Sequence, residues 1–582
     1  MDPYHYSPLH ARQIRLLTLQ SGSQSESLCI EIQHVDLFKV DDSLPPHRIP
    51  LFEALSYTWG DLNDTEEIII QDAVENGRSG LNVTHNLAAA LRRLRYTNRP
   101  RTLWVDAVCI DQSNLSERNE QVRQMVRVYS MAARVLIYIG EKEKSSDLAM
   151  DAIADITGEV THVRFLAVED LLNRPWFERV WVIQEVARSK SAIVICGTRA
   201  VAWDCFTRWP TRQACLPVSD VLWSDYIPGV LNYNSGFASS TGTEALLRTL
   251  RETRAAGATD PRDKVFALLG LLSDEEQKTY EGLINYSTPV DRVYLDTALK
   301  MIFESKSLRV LSAVQPRMYS SPPNVLDDLP SWVPNWSRAS HVLPLGLGQQ
   351  FVEPFNAGGR YCVADIGSSG NLLLKGVRVA QVQRISNGPE SWSSDYRERE
   401  TVLQSGYELL ATDSDFPLQA FLHVISATPP SAIESETGYT RDVITMEELE
   451  HLMAEVDRHT YSRLQRRVMQ YTYGRKMFIA GDFIGLGPET MQEDGLLVVL
   501  PGGPTPYILR PSPLNSHQFE LVGECYVHGL MNCEALQHVR EQLAQIGYVV
   551  PITGHAKCSA PLEWFIMDSG RDKGVITEQE NT

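Results

Sequence analysis

Over the first third of the chain the apolar positions alternate between short runs and helical stripes. Ala54-Leu-Ser-Tyr-Thr-Trp59 is a compact aromatic run ending at Gly60-Asp61, which predicts a strand that turns at its end. Ile68–Ile70 and Gly80–Val83 predict a hairpin around Asn76-Gly77. Thr84 is placed to cap a helix carrying Leu87, Leu91 and Leu94 on one stripe. Leu103-Trp-Val-Asp-Ala-Val-Cys-Ile110 is a nearly continuous apolar run, the pattern of a strand covered on both faces. Val122, Met125, Val126 and Tyr129 recur at amphipathic-helix spacing. Arg134–Gly140 and Ala192–Cys196 read as further buried strands, with a helix bearing Trp181, Glu185 and Val186 before the second. Such alternation predicts βαβ units. The expected fold is an α/β, doubly wound, mainly parallel sheet, with 54–58, 103–109, 134–139 and 192–196 as neighbouring strands and helices on both faces.

From Thr243 to Tyr319 the stripes are helical: Leu246, Leu247 and Leu250, then Val265, Phe266, Leu268, Leu269 and Leu272, then Val293, Leu295, Ala298 and Leu299. Polar tracts at 387–400 and 428–440 read as flexible loops. Around them Leu372–Val382, Met477–Leu486, Gly495–Leu500, Tyr507–Arg510 and Phe519–Val527 read as short strands. The expected organisation is an N-terminal extension (1–29), an α/β domain (30–200), a mainly helical region (201–340) and a β-rich C-terminal region (341–582).

Composition narrows the function. A net charge of -19 argues against a nucleic-acid binder and against docking on anionic lipid. Arg92, Arg93, Arg95, Arg99 and Arg101 form a local basic patch, read as a solvated helix face. Nine scattered cysteines without a C-x-x-C pair indicate neither a disulfide framework nor a zinc site. Met1–Leu19 has no continuous apolar core of a signal peptide, and no run approaches the roughly 18 apolar residues of a membrane span. A cytoplasmic protein is expected. The phosphate loop, the H-E-x-x-H helix and the G-x-S-x-G elbow are all missing, and Gly485-Leu-Gly487-Pro lacks the third glycine of a dinucleotide fingerprint. No metal site is expected.

Three blocks together resemble the heterokaryon-incompatibility (HET) domain: Ala54–Asp61, Leu103–Gln112 and Trp176-Phe-Glu-Arg-Val-Trp-Val-Ile-Gln-Glu-Val186. Val83-Thr-x-Asn86-Leu87, Glu117-Arg118 and Gln121-Val122 match the same family's spacing. The resemblance continues through Asp260-Pro-Arg-Asp-Lys-Val-Phe-Ala-Leu-Leu-Gly270, Pro330-Ser-Trp-Val-Pro334, Phe483–Pro488, Leu509–Pro511 and Tyr526–Met531, departing at Asn335, where an aspartate is common. It implies a fungal self/non-self protein whose activation leads to growth arrest and cell death, with a homo-oligomer on activation and an incompatibility partner protein.

HET domains are similar in turn to TIR domains, which have a flavodoxin-like doubly wound fold, and some of those hydrolyse NAD. Their glutamate lies in a W-x-x-x-E pattern near the fourth strand, and Trp181-Val-Ile-Gln-Glu185 matches it. That analogy makes Glu185 the candidate catalytic residue and NAD a substrate, with no cofactor required. Tyr57, Trp59, Asp61, Asp111, Gln112 and Trp181 are the candidate substrate contacts, because ligands bind beyond the carboxyl ends of such strands. The bland readings stay open. Glu185 would pair with Arg179 or Arg188, Asp106 would hold the Ser56–Gly60 turn, Trp59 and Trp181 would be packing anchors, and Cys109 a core thiol. A death-signalling interaction module is the alternative to an enzyme. If the blocks build one site, the Tyr57–Asp61 turn, Asp111 and Glu185 should converge.

Overall fold

Short β-branched and aromatic runs form the strands of the N-terminal half, in the order β1 (Asp2–Pro3), β2 (Gln13–Leu19), β3 (Cys29–Asp36), β4 (Glu53–Tyr57), β5 (Thr65–Gln71), β6 (Arg78–Thr84), β7 (Arg101–Trp104), β8 (Val135–Tyr138), β9 (Ala192–Cys196) and β10 (Arg199–Ala202). The computed structural model describes residues 1–37, 51–71, 77–158, 161–213, 229–232, 242–315, 325–339, 342–347, 355–368, 370–388, 397–411, 416–427, 444–453, 463–513, 515–545 and 561–569. Most of the expected Asn76-Gly77 turn, the 428–440 loop and residues 389–396 of the 387–400 loop lie outside them. The chain divides into two compact units, Met1–Pro289 and Val290–Thr582.

In the first unit the sheet order is β1-β6-β5-β3-β2-β7-β4-β8-β9-β10. Its centre is the expected one: β7, β4, β8 and β9 are neighbours and run parallel. Ala54–Tyr57 and Val135–Tyr138 are buried at every position, as strands covered on both faces must be. The flanks correct the expectation of a mainly parallel sheet. The β2–β3, β5–β6 and β9–β10 pairs and the β2–β7 contact are antiparallel, so the sheet is mixed. For the three pairs of successive strands the physical reason is connection length: short links can only fold back antiparallel. Strand β2 lies in the stretch read as an extension, with Ile14, Leu16, Leu17 and Leu19 in the core.

The first-unit helices are α1 (His85–Leu94), α2 (Asp106–Cys109), α3 (Leu115–Met131), α4 (Ser146–Ala154), α5 (His162–Leu172), α6 (Pro175–Glu178), α7 (Trp181–Ala187), α8 (Trp203–Gln213), α9 (Gly229–Asn232), α10 (Thr243–Glu252), α11 (Asp263–Leu269) and α12 (Asp274–Tyr280). Helix α1 begins as expected: the Thr84 side chain accepts the Leu87 N–H, and Leu87, Leu91 and Leu94 are buried. Thr84→Ala is expected to cost about 1 kcal/mol in urea unfolding, the usual worth of such a cap. The expected strand 103–109 stops at Trp104 instead. Asp106–Cys109 is one helical turn, closed by the Cys109 N–H on the Val105 carbonyl at 2.7 Å. An apolar run that is buried either way carries no periodicity to separate the two conformations.

The second unit opens with α13 (Val290–Ser305) and is β-rich as expected. Its strands are β11 (Ala364–Ile366), β12 (Leu372–Gln381), β13 (Arg384–Ile385), β14 (Arg475–Ala480), β15 (Phe483–Pro488), β16 (Leu496–Val499), β17 (Tyr507–Pro511), β18 (Phe519–Glu524), β19 (Tyr526–Val527) and β20 (Leu562–Ile566). They form two antiparallel sheets, β11-β12-β16-β17-β18 with β20 beside β12, and β13-β14-β15-β19. Met477–Leu486, expected as one strand, is a hairpin turning at Gly481, whose φ of 55° suits glycine. Helices α14 (Arg397–Ala411), α15 (Leu418–Ser426), α16 (Met446–Met453) and α17 (Arg463–Thr472) interrupt the strands, and α14 begins inside the expected 387–400 loop. A buried Arg475–Glu524 pair, 3.4 Å apart, lies in this unit. No helix among the described residues is long and apolar enough to cross a membrane.

Candidate functional site

The parallel centre of the sheet places several chemistry-bearing side chains around the last residues of β4. Ser56 and Tyr57 close that strand, and both are buried. Trp176 of α6 donates its indole N–H to Ser56 Oγ at 2.8 Å. Ser56 in turn hydrogen-bonds the carboxylate of Glu185 on α7, which the Tyr129 hydroxyl of α3 also faces. The Tyr129 hydroxyl reaches the Leu55 carbonyl at 3.3 Å. Arg179 donates to the Tyr57 carbonyl and is the cation that faces both Glu185 and Asp106. Asp106, at the start of α2 just past β7, accepts the Trp59 indole N–H at 2.9 Å and the Ala107 N–H at 2.8 Å. Gln112 closes the ring by donating to the Asp106 carbonyl at 3.1 Å.

Glu185 is 2% exposed. Burial pushes its carboxyl up to about 7; Arg179 and the hydroxyls of Ser56 and Tyr129 oppose the rise, and the Asp106 charge adds to it. Asp106 is raised for the same leading reason, with Arg179 and Trp59 holding it down. Arg179 thus acts electrostatically on both carboxylates, of which Glu185 is buried and Asp106, like Arg179 itself, half-buried. Glu185 Oε2, the Tyr57 hydroxyl and the Trp104 indole N–H are buried without a hydrogen-bond partner. Trp104 packs edge-on to Tyr129 at 5.5 Å, so all three belong to this cluster.

The raised carboxyl links folding to pH. In the folded chain Glu185 holds its proton up to about 7, while an unfolded glutamate releases it near ~4.3. Its contribution is therefore fully present below pH ~4 and is lost as pH rises through about 7. Glu185→Gln removes the charge that must be buried. The variant is expected to be more stable than the parent at pH 8, by on the order of 2 kcal/mol, with most of that gain gone at pH 5. Thermal unfolding at the two pH values checks it.

The structure does not bring every candidate here. Asp61 binds the N–H and amide of its own neighbour Asn63, at 2.9 and 3.1 Å, and is exposed. Asp111 holds Ser113 at 2.6 Å and lines a different cavity of about 600 Å³, along with Tyr6, His10, Glu117, Glu120 and Gln121. The expected convergence of the Tyr57–Asp61 turn, Asp111 and Glu185 therefore holds for Tyr57, Trp59 and Glu185, and does not extend to the carboxylates of Asp61 and Asp111. The backbone N–H of Asp111 is tied to Glu117, which pairs with the fully buried Arg15 at 2.5 and 3.0 Å. The Trp181 indole N–H faces the Asp263 carboxylate. Arg188 binds the carbonyls of Gly270 and Leu272 at 2.9 and 2.6 Å, leaving Arg179 to face Glu185. Burial lifts the Cys109 thiol to about 12, in keeping with a core residue. The basic patch is occupied internally: Arg92 pairs with Glu66, Arg93 with Glu141 and Arg101 with Glu53, while Arg95 binds carbonyls and Arg99 stacks on Tyr96.

Ser56, Tyr129, Trp176 and Arg15 were missed as members of these networks. A serine inside an otherwise buried strand was the available signal for Ser56. In the pattern alone Tyr129 reads as a core position, since its hydroxyl leaves no mark on a helical stripe.

Residues 52–185 match the family model described as heterokaryon incompatibility protein (HET), and residues 435–544 match that of the Het-6 beta-barrel domain. The chain is 23% identical over 628 residues to heterokaryon incompatibility protein 6, OR allele, of Neurospora crassa, across 86% of this chain and 92% of that protein. It is 30% identical over 143 residues to the vegetative incompatibility protein HET-E-1 of Podospora anserina, across 25% of this chain and 9% of that protein. No solved structure matches the chain.

Proposed function

We propose that this homologue of heterokaryon-incompatibility proteins is a self/non-self effector that triggers cell death in the cytoplasm, and that its HET domain does so by hydrolysing NAD. The carrying observation is the placement of Glu185, whose buried carboxylate bonds Ser56 and feels the charges of Arg179 and Asp106 at the C-terminal end of the parallel strands. The W-x-x-x-E helix stands directly before β9, the outermost strand of the parallel four, which supports the TIR likeness.

The reaction is NAD plus water giving nicotinamide, ADP-ribose and a proton. Nicotinamide leaves with the electron pair of the N-glycosidic bond and is neutral once free, so no general acid is needed. Positive charge develops on the ribose ring, and an ionised Glu185 stabilises it. The unpartnered Glu185 Oε2 and Tyr57 hydroxyl are suited to ribose hydroxyls. Entry requires the Thr58–Asp61 turn to move, with half-buried Trp59 leaving Asp106 to stack on the nicotinamide ring. Self-association of activated chains is the event that would open it.

A second reading has its own observation. Glu185 is 2% exposed, and its carboxylate is closed off from water as in a structural network inside a death-signalling interaction module. The deciding measurement is NAD content in yeast expressing the full-length chain. Toxicity with falling NAD supports hydrolysis, and toxicity at constant NAD leaves the interaction module.

A further inference from the structure

The HET family match ends at residue 185, yet the helix that carries Glu185 is fastened by residues well beyond it. The backbone at the entrance of α7 pairs with Gly257: Arg179 and Gly257 form a parallel bridge, Val180 N–H donates to the Gly257 carbonyl at 2.9 Å, and Gly257 N–H returns a bond to Glu178. At the first residue of α7 the Trp181 indole N–H faces the Asp263 carboxylate. At its C-terminal end Arg188 grips the carbonyls of Gly270 and Leu272. A seven-residue helix is too short to hold its own orientation by backbone bonds alone, so these anchors define where its side chains sit.

Asp263 is itself locked. It accepts the Tyr286 hydroxyl at 2.5 Å, and the Arg118 guanidinium lies 3.7 Å above the Tyr286 ring. Asn119 takes the Tyr286 N–H at 2.8 Å. Its neighbours in the Asp260-Pro-Arg-Asp-Lys264 stretch fasten the same segment: Arg262 forks onto Asp260, and Lys264 binds the carbonyls of Arg254 and Ala256. Arg118 and Asn119 sit on α3, the helix that also supplies Tyr129 to Glu185.

We propose that the segment 257–272 is an integral part of the HET effector unit, and that Asp263 is a positioning residue which, through Trp181, sets the orientation of α7 and hence of the Glu185 carboxylate. The catalytic part of this statement rests on the NAD-hydrolysis reading; the mechanical part does not. A displacement of about 1 Å at a reacting group costs on the order of a hundredfold in rate.

The test uses purified full-length protein with Asp263→Ala and Asp263→Asn, read by NAD turnover and by hydrogen exchange of the 181–187 amides. The Ala variant should lower kcat ten- to a hundredfold with KM for NAD nearly unchanged, and speed exchange across α7. The Asn variant, which keeps an acceptor for Trp181, should recover most of both. If the Ala chain fails to fold, Tyr286→Phe removes only the hydroxyl that fixes Asp263 and should give a smaller change of the same sign. A parent protein that leaves NAD intact even when its chains are forced to self-associate defeats the hydrolysis reading, and the exchange result then decides the positioning role alone. Unchanged exchange over 181–187 in a folded Asp263→Ala chain overturns the proposal. So does turnover equal to the parent's, or an Asn variant as impaired as the Ala one.

Discussion

Expressed at full length in yeast, the Glu185→Gln chain is expected to lose NAD consumption by a hundredfold or more and to lose its toxicity with it. The substitution keeps the size of the side chain and an acceptor for Ser56, and removes only the negative charge. Removing one preorganised electrostatic contact of this kind costs on the order of 10²–10³ in rate. Because burial sets the carboxyl near about 7, the parent's turnover should also rise with pH through that value, as the ionised form is the active one. The two readings separate here. Under hydrolysis, Glu185→Gln removes toxicity and NAD loss while the fold gains stability at pH 8. Under the interaction reading NAD stays level in both chains, and toxicity survives the substitution. Toxicity at unchanged NAD in the parent would sink the enzyme and leave the relationship to incompatibility proteins untouched.

The largest expected effect on folding lies in the second unit. Glu524→Ala should destabilise it by about 3–5 kcal/mol, the usual result of removing one partner of a buried ion pair. Arg475 is buried with Glu524 as its charged partner, and the same carboxylate accepts the N–H groups of Leu345 and Gly346. The substitution therefore strands a charge and two backbone donors at once. Glu524→Gln, which keeps the acceptor oxygen for those N–H groups, should cost less. Urea unfolding followed by circular dichroism orders the three chains. Equal midpoints for the parent and the Ala variant would mean that water replaces the carboxylate.

Much of the first unit was legible in the residue pattern. The runs at Ala54, Leu103, Arg134 and Ala192 gave four parallel neighbours because a strand buried on both faces must be apolar throughout. Thr84 announced α1 because a cap is a local hydrogen bond, written by one residue and its third neighbour. The W-x-x-x-E spacing placed Trp181 and Glu185 on one helix, and Trp59 was correctly joined to Asp106's neighbourhood through the turn.

What the sequence could not decide were pairings between residues far apart along the chain. Asp106–Cys109 became a helical turn, since an apolar run has no period to break. Arg15 reaches Glu117 across 102 positions, so a residue assigned to an extension is a buried cation at the start of α3. Asp61 follows the end of β4 as predicted, whereas Asp111 follows the helical turn α2, and local turns with Asn63 and Ser113 capture their carboxylates before any shared site can. Trp181 found Asp263, a partner from beyond the matched domain. Periodicity and capping are short-range physics and are written in sequence order. Which charge faces which, and how far water is kept away, is fixed only when the sheet closes and sets buried Ser56 and Glu185 beside half-buried Asp106 and Arg179.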